Sequence, residues 1–214
     1  MKYKIIITFI LMSMIFPGEE LLEKIPSKDY DKWKLLGKKK KMSVWYSKGY
    51  SKSSEIPWCR ASVLYPAKFE EVYSAIKDLK NYKNIFDRIT ESSVLDINEN
   101  IVYVRLDMPY FLSDRDYTVK YVENKKENLA IIQFYSVDYS SSPDNTGSVT
   151  LPRAAGKWII NFIPGKGTQV TYIWNGELLG KFPKSRLKDA WLEQGTEVLT
   201  WLYEYLRKNR VKQF

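Results

Sequence analysis

The 214-residue sequence contains no histidine and a single cysteine, Cys59. Without histidine the commonest general base and the commonest metal ligand are missing. Ser-His-Asp and Cys-His arrangements cannot be built, and a zinc site would have to rest on one thiolate and carboxylates. One cysteine forms no internal disulfide, and Cys59 reads as a small apolar residue of a buried strand. No metal and no cofactor is expected. An apolar run long enough to span a bilayer is also missing: Ile5 to Phe16 ("IIITFILMSMIF") is too short.

What is present is a globular composition, 44% hydrophobic and 28% charged, over a length that suits one domain with a short appendage. Aromatic residues are abundant, 7 Trp, 16 Tyr and 9 Phe, and they are spread along the chain. They suit a bulky core or the wall of a binding cavity. Lys2 and Lys4 ahead of the apolar run, with Pro17 and Gly18 after it, read as a signal peptide over residues 1–18. The expectation is an exported protein, periplasmic, secreted or envelope-associated, whose domain occupies 19–214, with an uncleaved membrane anchor or a buried N-terminal helix as the alternative reading of the apolar run. The formal charge is +9, and about +7 without the leader, which favours anionic partners such as acidic membrane surfaces.

Ser27 to Leu36 ("SKDYDKWKLL") reads as a short helix ended by Gly37, and Lys38 to Lys41 as a solvated turn. No aromatic stacking motif or nucleic-acid fold accompanies the lysines, so no nucleic-acid partner is expected. From Met42 the period is two: "MSVWYSKGY" and "PWCRASVLY" pair as strands. Phe69, Val72, Ile76 and Leu79 then mark one helix face. Three hairpins follow, 93–97 with 101–107, 116–123 with 129–138, and 157–163 with 169–175. The connection Ser140 to Gly147 ("SSSPDNTG") is long and polar, the kind of loop that carries function. A last helix from Pro183 to about Lys208 presents Leu187, Ala190, Trp191, Gln194, Val198, Trp201, Leu202 and Tyr205 on a broad face. An α+β helix-grip fold buries that face: a curved antiparallel sheet wrapped around the helix, enclosing a hydrophobic cavity.

Five stretches, in order and at the expected separations over about residues 28–209, resemble the START (StAR-related lipid transfer) domain family. They are "DYDKWKLLGKKKKMSVWYSK", "FEEVYSAIKDLKNYKNIFD", "YFLSDRDY" with Arg115, Asp116 and Tyr117, "LPRAAGKWII" with Gly156 and Trp158, and "GKFPKSRL" with Pro183. The resemblance implies a lipid-binding module without catalytic machinery, holding one hydrophobic ligand between sheet and C-terminal helix. It implies a gate at Val137 to Gly147, with Asp138, Tyr139, Ser140, Pro143, Asp144, Asn145 and Gly147. Where sterol-carrying members have a basic cavity residue this chain has Tyr121, with Arg105 as a substitute on the preceding strand.

In a strand, Arg115, Tyr117, Val119 and Tyr121 share one face, and Asp114, Asp116 and Thr118 the other. The first face is expected to be the inner one, with Arg115 and Asp116 fixing the strand. The expected ligand contacts are Arg105, Tyr117, Val119, Tyr121, Leu187, Trp191, Gln194 and Val198. Lys181, Lys184, Arg186 and Lys188 crowd the start of the last helix, where its dipole disfavours cations. They suggest a docking patch for anionic lipid headgroups. A monomer is expected, and the alternative function is a helix-grip enzyme, cyclase-like or hydrolase-like, acting on an apolar substrate.

Overall fold

The computed structural model describes residues 18–26, 33–39, 42–47, 57–108, 112–144, 147–176 and 184–211. The apolar leader through Pro17, the first part of "SKDYDKWKLL", the segment 48–56, Asn145 and Pro183 lie outside the described residues.

The strands are β1 (Trp33–Lys39), β2 (Met42–Ser47), β3 (Cys59–Tyr65), β4 (Ile89–Asp96), β5 (Ile101–Leu106), β6 (Asp114–Lys126), β7 (Leu129–Ser136), β8 (Ser148–Thr150), β9 (Ala154–Ile163) and β10 (Gly167–Gly176). The helices are α1 (Glu19–Glu23), α2 (Phe69–Lys77), α3 (Tyr82–Ile85) and α4 (Leu187–Val211). All strands join one sheet in the order β1-β2-β3-β10-β9-β7-β6-β5-β4, and β8 pairs in parallel with the start of β6. The α+β helix-grip expectation holds: α4, roughly 38 Å long at 1.5 Å per residue, packs on the inner face of β1, β2 and β3.

The period-two pattern sorts side chains onto two faces. Val44, Ala61, Val102, Val119, Ile132, Ile160 and Val170 point inward and form the main core with Val72, Ile76, Leu199 and Leu202 of the helices. Gly195 lets α4 approach this closely: a Cβ there would lie 2.8 Å from Trp174 and 3.0 Å from Ala61. Tyr65 on β3 donates its hydroxyl to the Leu199 carbonyl, and Arg210 donates to the Glu71 carboxylate and the Pro66 carbonyl, fixing the second half of α4.

The outer face carries a second, smaller core. Leu21 of α1 packs with Trp33, Trp58, Tyr135, Ala155 and Ile173, and the Arg60 guanidinium lies over the Trp33 and Trp45 rings at 4.9 and 4.4 Å. Gly18, read as the last leader residue, is buried against Ser136.

Two expectations are corrected. Trp33 to Leu36 belongs to a strand rather than to a helix, and Lys38 and Lys39 extend that strand to the pair Lys39↔Met42 instead of forming a turn. Trp33 reaches the outer core while Leu36 joins the inner one, so the apolar residues serve two faces of a strand, with a bulge between Leu35 and Gly37. The polar loop Ser140–Gly147 is followed by a short strand, β8, that sequence reading did not mark.

Candidate functional site

Between the inner sheet face and α4 lies a cavity of about 210 Å³. Its walls come from Tyr117 and Tyr121 of β6, Phe134 of β7, Trp158 of β9, Tyr172 and Trp174 of β10, and Tyr82 and Phe86 around α3. Ala190, Trp191, Gln194, Val198 and Trp201 close it from α4. Neighbouring rings form a continuous lining: Tyr82 meets Tyr121 edge-on at 6.3 Å, Tyr121 meets Phe134 at 5.8 Å, and Phe134 stacks on Tyr172 at 6.2 Å. Tyr172 in turn lies 4.4 Å from Trp158 and 4.9 Å from Trp174. Such walls offer large apolar area with few rotatable bonds, which suits an apolar guest.

The polar groups of the lining are few. Arg88, on the turn before β4, makes two parallel hydrogen bonds to Glu197 of α4. Glu193 and Gln194 lie one turn earlier on the helix, and Arg115 and Asn175 complete the polar part. Burial pushes the Tyr117 phenol up to about 12 and those of Tyr121 and Tyr172 well above their ordinary value. The phenols therefore stay neutral near pH 7 and can donate hydrogen bonds.

Arg115 is 1% exposed and borders the cavity, donating to the Ser113 carbonyl at the start of β6. Asp116 faces the other way: its carboxylate accepts from the hydroxyls of Ser148 and Thr150, and its carbonyl from the Leu151 amide. The Arg-Asp pair thus fastens the beginning of β6 to the loop and strand beside it. Gly156 has a packing reason, since a Cβ there would lie 2.5 Å from the Ile173 carbonyl oxygen and 2.3 Å from the Phe134 ring.

Of the expected ligand contacts, Tyr117, Tyr121, Trp191, Gln194 and Val198 line the cavity. Val119 and Leu187 pack in the main core instead, with Val119 fully buried there. Arg105 points to the outer face and pairs with Asp114, Nε to Oδ2 at 2.9 Å, because it alternates with the inward Val104. It supplies no cavity charge. None of the described residues of the segment Val137 to Gly147 borders the cavity. Tyr139 donates to Asp96 at 3.2 Å, and Ser142 shares a 2.7 Å hydrogen bond with Thr118, both on the outer side.

Sequence reading missed Arg88, Glu193 and Glu197, which stand on helix or turn positions that also suit solvent. It missed Tyr172 and Trp174 as well, although their period of two along β10 with Val170 was a usable signal. Among the described residues no group of His, Cys, Asp and Glu could hold a metal ion, and no helix is long and apolar enough to cross a membrane.

No protein-family profile and no curated protein matches the chain. Solved structures do. A STAR-related lipid transfer protein from Xanthomonas axonopodis is 21% identical, with TM-score 0.72, covering 83% of this chain and 99% of that one. Human StAR-related lipid transfer protein 5 is 14% identical, with TM-score 0.77 and coverage of 90% and 93%. The Zhui aromatase/cyclase from Streptomyces is more distant, 12% identical with TM-score 0.53, covering 72% of this chain and 95% of that one. The sheet wrapped on α4 and the cavity between them are therefore the helix-grip fold of the START (StAR-related lipid transfer) domains.

Proposed function

We propose that the protein binds one hydrophobic molecule, lipid or sterol-like, in the cavity under α4 and carries it between membranes without chemical change. The observation that carries this reading is the continuous aromatic wall around an interior space that the core leaves unfilled. Protein interiors are otherwise close-packed, so a void of this size is a feature with a use. A bilayer is as apolar as the cavity, so burial alone gives little selectivity, and cavity shape with a few polar contacts sets the choice.

Two further elements belong to the proposal. Residues 1–18 direct export, and the protein meets an anionic membrane transiently, as a monomer, through cations near the start of α4. Arg186 and Lys188 are exposed there, and exposed Lys38 and Lys39 lie on β1, which packs against the same helix. Each cation near an acidic surface contributes about 1 kcal/mol. Transfer of a fluorescent lipid between phosphatidylserine-containing vesicles tests the reading. Arg186→Glu with Lys188→Glu is expected to lower the rate several-fold, and an undiminished rate would remove the patch from the account.

The second reading, an enzyme on the same fold, takes its support from the aromatase/cyclase likeness in fold and from the enclosed tyrosines. Phenols with raised pKa are hydrogen-bond donors rather than bases at neutral pH. Turnover lost on changing one cavity side chain would favour it over the carrier.

A further inference from the structure

Tyr117 of β6 and Tyr172 of β10 line the same cavity, and both are half-buried. Neither hydroxyl makes a hydrogen bond to a described residue, and both open to the cavity instead of being sealed in the core. Tyr82, beside them, differs: its hydroxyl donates to the Ile76 carbonyl at 2.7 Å. Burial keeps both the Tyr117 and Tyr172 phenols protonated. Hydroxyls that open into a largely apolar cavity are free to bond a guest there.

The charges of the lining narrow what that guest is. Its described residues include the guanidiniums of Arg88 and Arg115 and the carboxylates of Glu193 and Glu197; Glu193 is exposed, and the buried Arg115 donates to the Ser113 carbonyl. Arg88 already spends its fork on Glu197. A buried anion needs a counter-charge with free donors, and a phenol supplies only a hydrogen bond.

We propose that the ligand carries a neutral oxygen function, a hydroxyl or carbonyl, that bonds the Tyr117 and Tyr172 hydroxyls inside the cavity, and that the site discriminates against carboxylates and phosphates. This rests on the cavity being the binding site. The present volume fixes the choice of probe: a cavity of about 150 Å³ accommodates a benzene ring, so about 210 Å³ suits a compact ring system rather than a two-chain lipid.

Calorimetry with the purified full chain compares 2-naphthaleneethanol, 2-ethylnaphthalene and 2-naphthaleneacetate, which share one ring body. The alcohol is expected to bind about fivefold to tenfold more tightly than the hydrocarbon, as one or two neutral hydrogen bonds provide, and the carboxylate most weakly. Tyr117→Phe and Tyr172→Phe, each removing one oxygen, should bring the alcohol toward the hydrocarbon and leave the hydrocarbon unchanged. An alcohol no tighter than the hydrocarbon, a carboxylate that binds best, or phenylalanine variants that bind the alcohol as wild type would overturn the proposal while leaving the carrier intact. The wild-type comparison decides by itself if a variant fails to fold. Binding of none of the three, with no displacement of an apolar dye, would overturn the proposal and count against the carrier as well.

Discussion

Arg88 grips Glu197 with two hydrogen bonds, Nε to Oε2 at 2.8 Å and Nη2 to Oε1 at 3.0 Å, across 109 residues of sequence. The pair ties the turn before β4 to the middle of α4, and both side chains border the cavity. It is a polar fastening between the wall and the helix that closes it.

Arg88→Ala should therefore loosen that closure. It leaves the Glu197 carboxylate without its fork, and a cost of about 1–3 kcal/mol is expected for losing charge-assisted hydrogen bonds at a partly covered site. Urea denaturation measures the loss, and ligand dissociation should be faster than in wild type. Unchanged midpoint and unchanged dissociation would show that α4 is held without the pair.

Gly156→Ala tests why a glycine stands two residues before Trp158. The new methyl meets the Ile173 carbonyl on β10 and the Phe134 ring, so the β9–β10 pair must shift. Overpacking of this kind costs about 1–3 kcal/mol. A melting temperature equal to wild type would contradict the close approach.

Asp116→Ala removes the acceptor of the Ser148 and Thr150 hydroxyls. The parallel pairing of β8 with β6 spans only Asp114 to Asp116, so the side chain is a large part of what holds it. A loss of about 1.5–3 kcal/mol is expected for bonds to a charged group. Amide exchange at 147–151 should accelerate more than at β9, and uniform exchange would contradict a local role.

Acid should weaken the anchoring of α4 at its far end. Hydrogen bonding from Arg210 holds the Glu71 carboxyl below its ordinary value of 4.5. Because the folded value is depressed, the unfolded chain takes up the proton first, so this contribution is complete above about pH 4.5 and fades as the pH falls below it. Glu123 behaves likewise: burial opposes ionisation, but bonds from Lys77 and Tyr73 outweigh it. Glu71→Gln should lose less stability than wild type between about pH 5 and pH 3 in thermal melts. Equal losses would place the acid sensitivity elsewhere.

Much of the fold was legible because its signals are local. Hairpins joined by "NEN", "NKKEN" and "PGKGT" state their own pairing, and the face of α4 repeats over many turns. Trp33 to Leu36 failed for a physical reason: Trp33 turns to the outer core and Leu36 to the inner one, and a bulge between Leu35 and Gly37 interrupts the alternation that identifies a strand. Tyr117 and Tyr121 were readable from the alternation along β6. Arg105 was not, since a bulge-free register with Val104 decides its face, and neither was the Arg88–Glu197 pair, which only the closing of α4 onto the sheet brings together.

The carrier account is tested most directly by native mass spectrometry of the full chain purified without detergent, followed by identification of what an organic solvent releases. The account predicts the chain with one apolar molecule of uniform class, in a one-to-one ratio, absent after denaturation. A bare chain, together with an extract that holds no such compound and an apolar dye that fails to enter, would contradict it.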